Sequence, residues 1–162
     1  MTRDEAAGMV LARVLAWEGG VSQVAGESFV TRWGQTPAWL QTWGFEAPRT
    51  DADAIANYRT WLVRTRLIGV CDYPDAFAVS IVDWGVHQGH VGAIRALQRI
   101  VGVTADGIYG PETQSAVDAV DRALASRRLV ADRVRALGRL ITDTPRFALY
   151  AAGWANRVAD QV

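Results

Sequence analysis

The sequence predicts a mainly α-helical, single-domain fold with at most a small β-hairpin or irregular loop after the first helix. Apolar residues recur at helical spacing through most of the 162 residues. The one β-prone stretch, residues 19–37, is rich in glycine and small polar residues, which is typical of a loop or hairpin. No internal repeat, low-complexity stretch or linker interrupts the sequence, so we expect one domain over residues 1–162.

The first helix is predicted over residues 3–18. Val10, Val14 and Trp17 form an apolar stripe at helical spacing, with acidic residues in the first turn, where the helix dipole favours them. Gly19 follows this stretch and is predicted as the C-cap of the helix.

Thr50 and Asp53 have the spacing of a capping box, which predicts a helix start at residue 51. Helices in the middle of the chain are predicted over residues 37–45, 51–66, 75–88 and 91–101.

Three more helices are predicted toward the C-terminus. Pro111 suits the first position of a helix that runs to about residue 126, an arginine-rich helix follows over residues 127–141, and Pro145 begins the last helix. The apolar face predicted for the arginine-rich helix consists of Leu129, Val130, Val134, Leu137 and Ile141.

Composition narrows the classes of partner. The chain has 17 basic and 17 acidic residues, and a balanced charge gives no electrostatic footprint for nucleic acid or an anionic membrane. No apolar run is long enough to span a bilayer, so neither nucleic-acid binding nor membrane insertion is expected. Cys71 is the single cysteine, which excludes an internal disulfide. We also expect the protein to be a monomer.

Glu18 is the first candidate for chemistry, because it lies at the predicted C-terminus of the first helix and is followed by two glycines. Helix-end carbonyls and burial beside Trp17 both favour the neutral carboxylic acid, which is the form that a general acid needs. Glycoside hydrolysis pairs such an acid with a second polar group, and Glu27 is the next carboxylate along the chain. The alternative is an ordinary helix end with its glycine cap.

Several tryptophans cluster in the loop-rich region between residues 33 and 61. Core packing is the default role for each of them, but Trp33 is a candidate for stacking on a sugar ring.

Asp83, His87 and His90 have a spacing that could ligate zinc on one helical face. Gly89 is expected to break that helix, and Cys71 has no cysteine partner, so no metal and no other cofactor is expected. We expect Asp83 and His87 to pack and form hydrogen bonds near a substrate cleft.

Residues 93–113 contain two turn pairs, Asp106-Gly107 and Gly110-Pro111, between two predicted helices. Asp-Gly and Gly-Pro pairs reverse the chain, so this region is interpreted as a tight helix–loop–helix joint.

The order of these motifs resembles glycoside hydrolase family 108, which comprises N-acetylmuramidases and includes phage-type endolysins. WEGG (17–20) and TRWGQT (31–36) resemble the family's E-G-G-Y…T-N-F-G-I-T signature, and AFAVSIVDWGVHQGH (76–90) resembles its D-x-A-V-N-x-G segment. Residues 93–116 resemble its peptidoglycan-binding-like region, L-Q-x-x-L-G-V-x-x-D-G-x-x-G-P-x-T. FALYAAGWANRV (147–158) resembles its closing Y-x-x-G-W-x-N-R.

The resemblance implies a lysozyme-like helical fold with three parts. Residues 1–90 would be the catalytic part, residues 91–126 a peptidoglycan-binding-like segment, and residues 127–162 the helices that close the core.

The resemblance also implies that Glu18 is the proton donor. Glu27 or Thr31 would assist on the opposite face of the sugar, while Trp33 and Gln35 would belong to a loop that faces the substrate. The family's aspartate in this loop has no unambiguous partner here, Val21 replaces the usual tyrosine, and His87 replaces a usual asparagine.

The implied substrate is bacterial peptidoglycan, with cleavage of the β-1,4 bond between N-acetylmuramic acid and N-acetylglucosamine. Because Arg13 splits the apolar residues of the N-terminal stretch, no signal peptide is expected. The protein would then be made in the cytoplasm and reach the wall through a holin lesion or a dedicated export route.

Two rival functions remain open. The divergent loop between Val21 and Val30 is compatible with a non-catalytic wall-binding or virion structural protein on the same scaffold. The other rival is a zinc amidase or peptidase that uses Asp83, His87 and His90. Inversion or retention of the sugar configuration depends on the separation of the carboxyl groups, which spacing in sequence does not give.

Overall fold

The computed structural model describes residues 1–23 and 28–161, and in these residues the fold is mainly α-helical with one small antiparallel sheet, as predicted. The chain divides into two compact units, Met1–Pro74 and Asp75–Val162. None of the helices in the described part of the chain has the length and apolar character needed to cross a membrane.

The first unit contains three α-helices, a two-stranded sheet and a 3-10 helix. Its elements are α1 (Arg3–Leu15), β1 (Val21–Ser22), β2 (Thr31–Arg32), α2 (Pro37–Trp43), α3 (Asp51–Arg64) and the 3-10 helix Leu67–Asp72. α1 packs against α3 and the 3-10 helix, and its buried face holds Val10, Leu11 and Val14.

Local capping fixes where these helices begin. Thr2 with Glu5, and Thr50 with Asp53, form complete capping boxes, so both side chains of each pair bond to backbone N–H groups. The capping box at Thr50 confirms the helix start predicted at residue 51. In α2, Thr36 is the N-cap, and Gly44 ends the helix in the left-handed conformation, with φ of 68°.

The end of α1 differs from the prediction, because the helix stops at Leu15 rather than at residue 18 and its C-cap is Ala16 rather than Gly19. The N–H groups of Trp17 and Glu18 donate to the carbonyls of Val14 and Leu15, at 3.2 and 3.0 Å. These i to i−3 bonds tighten the last turn into a non-α geometry before the glycines redirect the chain.

The second unit consists of helices. Its elements are α4 (Ala76–Gln88), α5 (His90–Val101), α6 (Pro111–Ala119), α7 (Arg122–Asp143), the 3-10 helix Pro145–Tyr150 and α8 (Ala151–Ala159). α4 packs against α5 and α7, and α7 packs against α8.

The prediction of a helix from Pro111 to about residue 126 is wrong. α6 ends at Ala119, Val120 is extended, and Asp121 caps α7 by accepting from the N–H of Leu124 at 3.0 Å. The helix break therefore lies at an aspartate N-cap, where a local side-chain hydrogen bond outweighs the continuous helical pattern.

The predicted apolar face of α7 is only partly buried. Leu129 and Leu137 are in the core, whereas Val134 is 54% exposed and Arg133 is 1% exposed. The burial of Arg133 is explained by its ion pair with a buried aspartate, Asp83.

Candidate functional site

Glu18 lies in the turn that follows α1 and is half-buried. Its backbone is fixed by the hydrogen bond to Leu15, and α1 itself is held by its buried apolar face. The backbone of Glu18 therefore has a defined position after α1, although it is not part of a regular helix.

Gly34 lies directly against the Glu18 carboxylate. A Cβ built on Gly34 would meet Oε2 of Glu18, would lie 2.6 Å from its Cδ and would lie 3.0 Å from the hydroxyl oxygen of Tyr58. Gly34 also has φ of 75°, a conformation that side chains rarely adopt. Position 34 thus requires glycine for two reasons, and the Gly34 backbone forms one wall around the carboxylate.

Tyr58 holds the loop from the side of α3. Its hydroxyl donates to the carbonyl oxygen of Trp33 at 2.9 Å, and its ring is buried. No local sequence signal around Tyr58 indicates that its hydroxyl reaches a loop 25 residues earlier.

The β-hairpin brings residues 31–34 back toward the glycines that follow Glu18. Val21 pairs with Arg32 and Ser22 pairs with Thr31, while the N–H of Trp33 donates to the carbonyl of Gly20 at 2.6 Å. Trp33 itself has φ of 47°, in the left-handed region that is uncommon for residues other than glycine. Residues other than glycine that adopt this left-handed backbone conformation cluster at functional sites. The backbone of Trp33 is therefore a further reason to regard this loop as a candidate site.

Gln35 is completely buried beneath the hairpin. Its Nε2 donates to the carbonyl of Ala54 at 3.1 Å, and its Oε1 accepts from Nδ2 of Asn57 at 2.8 Å. Both bonds tie the loop to α3, so the geometry gives Gln35 a positioning role. Its predicted contact with substrate stays a prediction.

The structure brings together Glu18, Gly34 and Trp33, through the backbone of the hairpin and the hydroxyl of Tyr58. Thr31 lies half-buried in β2 of the same hairpin. Glu27 lies outside the described residues, so its predicted role as the second catalytic group stays a prediction.

Most of the clustered tryptophans pack on other aromatic rings. Trp39 has ring centroids of Tyr58 at 5.2 Å and of Phe45 at 5.4 Å, and it also contacts Trp43 and Trp61. This cluster stabilises the base of α2 and α3, which is the default role expected for these side chains.

Asp83 is fully buried in the second unit, among positively charged and amide groups. Its carboxylate accepts from Arg133, from Nε of Arg157 at 2.9 Å and from Nε2 of Gln161 at 2.6 Å. Burial alone would raise the pKa of Asp83, but the hydrogen bond from Arg157 and the charges of both arginines hold that pKa below its ordinary value.

His87 lies beside this network. Burial, together with the charges of Arg157 and Arg133, lowers the pKa of His87 to about 4, so the ring is neutral at pH 7. Its Nδ1 is 3.4 Å from Nη2 of Arg133, and its ring packs edge-on against Trp154 with centroids 5.4 Å apart.

These contacts give Asp83 a structural role that links α4 to α7 and α8. The predicted contacts of Asp83 and His87 with substrate stay predictions. In the part of the chain that the structure describes, no three metal-binding side chains come together. Because the oxygens of Asp83 already accept from two arginines, the geometry disfavours the zinc alternative.

Gln98 organises the turn-rich joint between α5 and α6. Its Nε2 donates to Oδ1 of Asp106 at 2.7 Å, to the carbonyl of Ile108 at 3.0 Å and to the hydroxyl of Thr113 at 3.1 Å, and its Oε1 accepts from the N–H of Gly107 at 2.9 Å. The Asp106-Gly107 pair of the L-Q…D-G…G-P motif therefore bonds to the buried amide of Gln98, as expected for a tight joint.

Two comparisons with known proteins found similarities, one in sequence and one in fold. Residues 92–159 match the profile of a family described as a predicted peptidoglycan domain. The structure of Brucella abortus SagA is similar over 97% of this chain and 91% of that chain, with a TM-score of 0.75 and 24% sequence identity. No curated protein matches the sequence. This chain therefore shares its fold with SagA, and part of its second unit is similar to a predicted peptidoglycan domain.

Proposed function

We propose that this protein is a peptidoglycan hydrolase, an N-acetylmuramidase that cleaves the β-1,4 bond between N-acetylmuramic acid and N-acetylglucosamine. The observation that carries the proposal is the setting of Glu18, a half-buried carboxylate that lies directly against Gly34, in a loop to which the Tyr58 hydroxyl bonds. The peptidoglycan family match over residues 92–159 supports the choice of substrate.

In the proposed reaction, protonated Glu18 gives its proton to the glycosidic oxygen as the bond from that oxygen to the anomeric carbon breaks. The electron pair of that bond leaves with the oxygen, and the anomeric carbon gains the character of an oxocarbenium ion. Water then completes hydrolysis at the anomeric carbon and loses a proton to a basic group. Glu27 and Thr31 are the proposed candidates for positioning that water.

The residues around Glu18 affect the proposed reaction because they determine where its carboxylate lies. A general acid must lie within hydrogen-bond reach of the oxygen that it protonates, and misplacement by about 1 Å can cost about 100-fold in rate. Gly34 restricts where the carboxylate can lie, because it approaches the carboxylate closely, and Tyr58 holds the Trp33–Gly34 loop through its hydrogen bond to the Trp33 carbonyl. We propose that Trp33 supplies an apolar ring face for a sugar beside this site.

The experiment is release of new reducing ends from purified sacculi by the wild type and by Glu18→Gln. We expect the variant to lose roughly 100- to 10,000-fold in rate, the usual range for a general acid, while its unfolding transition stays close to that of the wild type. Full activity in a folded Glu18→Gln protein would refute the assignment.

A second candidate is a non-catalytic peptidoglycan-binding protein. It is favoured by one observation: the family match covers residues 92–159 and does not reach Glu18. Co-sedimentation with insoluble peptidoglycan, measured beside the reducing-end assay, separates the two candidates. Binding with no new reducing ends from the wild type would support this second candidate and overturn the first.

A further inference from the structure

We propose that an arginine-lined groove between α5 and α7 binds the peptide stem of peptidoglycan through its free carboxylates. The inference rests on the proposed function for its substrate class, but it concerns a different surface from the Glu18 loop. The groove, called here the arginine groove, is defined by Arg95, Arg99, Arg127, Arg128, Arg135 and Arg139.

The arginine groove consists of two adjoining cavities of about 400 and 610 Å³, which have Arg99 and Asp132 in common. Small-ligand sites fall in the range of roughly 300–1,000 Å³, so each cavity has room for part of a peptide. Trp84, which is 5% exposed, forms part of the floor.

The arginine groove concentrates positive charge on one surface of a chain whose total charge is balanced. The chain as a whole has 17 basic and 17 acidic residues, yet six exposed arginines converge on this surface. Among the described residues that line the two cavities, Asp132 is the only acid. Arginine presents a planar fork of N–H donors that matches a carboxylate in a bidentate manner, so the surface fits an anionic ligand.

Asp132 distinguishes a peptide from a polyphosphate. It lies where the two cavities meet and accepts a hydrogen bond from Nη1 of Arg135 at 3.0 Å. A uniformly anionic polymer would be repelled at that point. A peptide stem carries free carboxylates and, before cross-linking, a free amine on its diamino acid. Arginines with one central aspartate therefore complement the stem peptide better than they complement a chain of phosphates.

The length of the groove agrees with this ligand. Arg128 and Arg139 both lie on α7, and a helical rise of 1.5 Å per residue separates them by roughly 16 Å along the axis. Four extended residues span about 13–14 Å, so a tetrapeptide stem covers most of the distance between these two arginines. The six arginines that define the groove all fall within residues 92–159, the segment that matches the peptidoglycan family.

The test is a binding titration of the full chain with a soluble tetrapeptide, L-Ala-γ-D-Glu-diaminopimelate-D-Ala, at physiological ionic strength. Two further probes are the same peptide with its carboxylates amidated and a glycerol-phosphate polymer. The variant is Arg99→Gln with Arg139→Gln, and the matched control is Arg49→Gln, whose side chain is 89% exposed in the first unit. The comparison of the free and amidated peptides uses the wild-type protein, so it does not depend on whether the double variant folds.

We expect amidation of the peptide, and the double substitution, each to weaken binding by about tenfold or more, because charge-assisted hydrogen bonds are lost. Arg49→Gln should bind like the wild type. Equal binding of the amidated peptide, or tighter binding of the glycerol-phosphate polymer, would overturn the proposal.

The outcome is separable from that of the proposed function, since the titration involves no hydrolysis. Carboxylate-dependent binding together with a fully active Glu18→Gln would support the groove and refute Glu18 as proton donor. Loss of hydrolysis in Glu18→Gln together with carboxylate-independent peptide binding would refute the groove alone.

Discussion

Glu18 and Asp83 are both carboxylates that the sequence marks for chemistry, and the protein surrounds them in opposite ways. Glu18 is half-buried, and its carboxylate lies against Gly34, which follows the Trp33 carbonyl that accepts from the Tyr58 hydroxyl. Asp83 is fully buried and accepts hydrogen bonds from two arginines and a glutamine. The pKa of Asp83 is held low by these cations, so it stays ionised.

The difference in burial separates a structural role for Asp83 from the proton-donor role that we propose for Glu18. A buried carboxylate with two guanidinium partners stabilises the packing of helices, because its charge is already neutralised and water does not reach it. Glu18 is only half-buried, and a general acid must come within hydrogen-bond reach of the oxygen that it protonates. This contrast predicts separate effects on stability and activity when each residue and its neighbours are changed.

The largest stability effect is expected for Asp83→Asn. Removing this charge leaves Arg133 and Arg157 buried without their carboxylate, which should cost about 3–5 kcal/mol in the free energy of unfolding. The matched control is Asp4→Asn, which breaks an exposed 3.9 Å pair with Arg59 and should cost less than about 1 kcal/mol. Urea denaturation followed by circular dichroism measures both. Equal costs would contradict a structural role for Asp83.

The next effect is a pH dependence from His87, whose pKa is lowered from 6.5 to about 4 by burial and the neighbouring arginines. Between these values the unfolded chain binds a proton that the folded chain does not. Stability is therefore complete above about pH 6.5 and falls as the pH drops toward 4, by up to about 3 kcal/mol. His90, whose pKa burial also lowers, adds a loss of the same sign.

Unfolding titrations of the wild type and His87→Gln between pH 4 and pH 7 measure this dependence. The variant should show a shallower fall, because Gln does not titrate. An identical slope in the two proteins would mean that His87 titrates as it does in an unfolded chain.

Gly34→Ala probes the wall beside Glu18. The new methyl group must take a positive φ and displace the Glu18 carboxylate or the Tyr58 hydroxyl, so we expect a loss of about 1–3 kcal/mol in stability. Wall hydrolysis should fall by tenfold or more, since about 1 Å of misplacement can cost about 100-fold.

Gly44→Ala is the matched control for Gly34→Ala. Gly44 has a similar φ of 68°, but a Cβ there would meet no atom within 4 Å, so the control carries backbone strain alone. If both variants hydrolyse sacculi at the same rate, Gly34 does not position Glu18.

The smallest effect is expected for Tyr58→Phe, which removes the hydrogen bond to the Trp33 carbonyl and should cost about 1 kcal/mol. Hydrolysis should fall several-fold as the hairpin loosens. Tyr150→Phe is the control, because the Tyr150 ring stacks on Trp154 and the substitution keeps that contact. Calorimetry with the reducing-end assay measures both variants, and an unchanged rate in Tyr58→Phe would remove Tyr58 from the site.

Local features of the fold could be predicted from the sequence. The Thr50–Asp53 capping box depends on residues three apart, and the glycine-rich stretch after α1 forms the small hairpin that its composition indicates. The break at Asp121 is also a local cap, but a continuous helical pattern on both sides concealed it. The spacing of apolar residues therefore predicted where the helices lie more accurately than it predicted their first and last residues.

The surroundings of the candidate site could not be predicted in the same way. The burial of Arg133 follows from Asp83, which lies 50 residues earlier, and an arginine on an amphipathic helix ordinarily faces solvent. Tyr58 similarly occupies a position that its helical spacing assigns to the core, while its hydroxyl reaches the Trp33 loop. Such partners are set by tertiary packing between distant segments, which periodicity does not encode.

The central claim is that Glu18 donates the proton in cleavage of the glycan strand. The most direct measurement digests purified sacculi, reduces the new sugar ends with borohydride and identifies them by mass spectrometry, for the wild type and Glu18→Gln. We predict reduced N-acetylmuramic acid at the new ends in the wild-type digest and its near-complete loss in a folded Glu18→Gln protein. Equal amounts from both proteins, or new ends that carry N-acetylglucosamine, would contradict the claim.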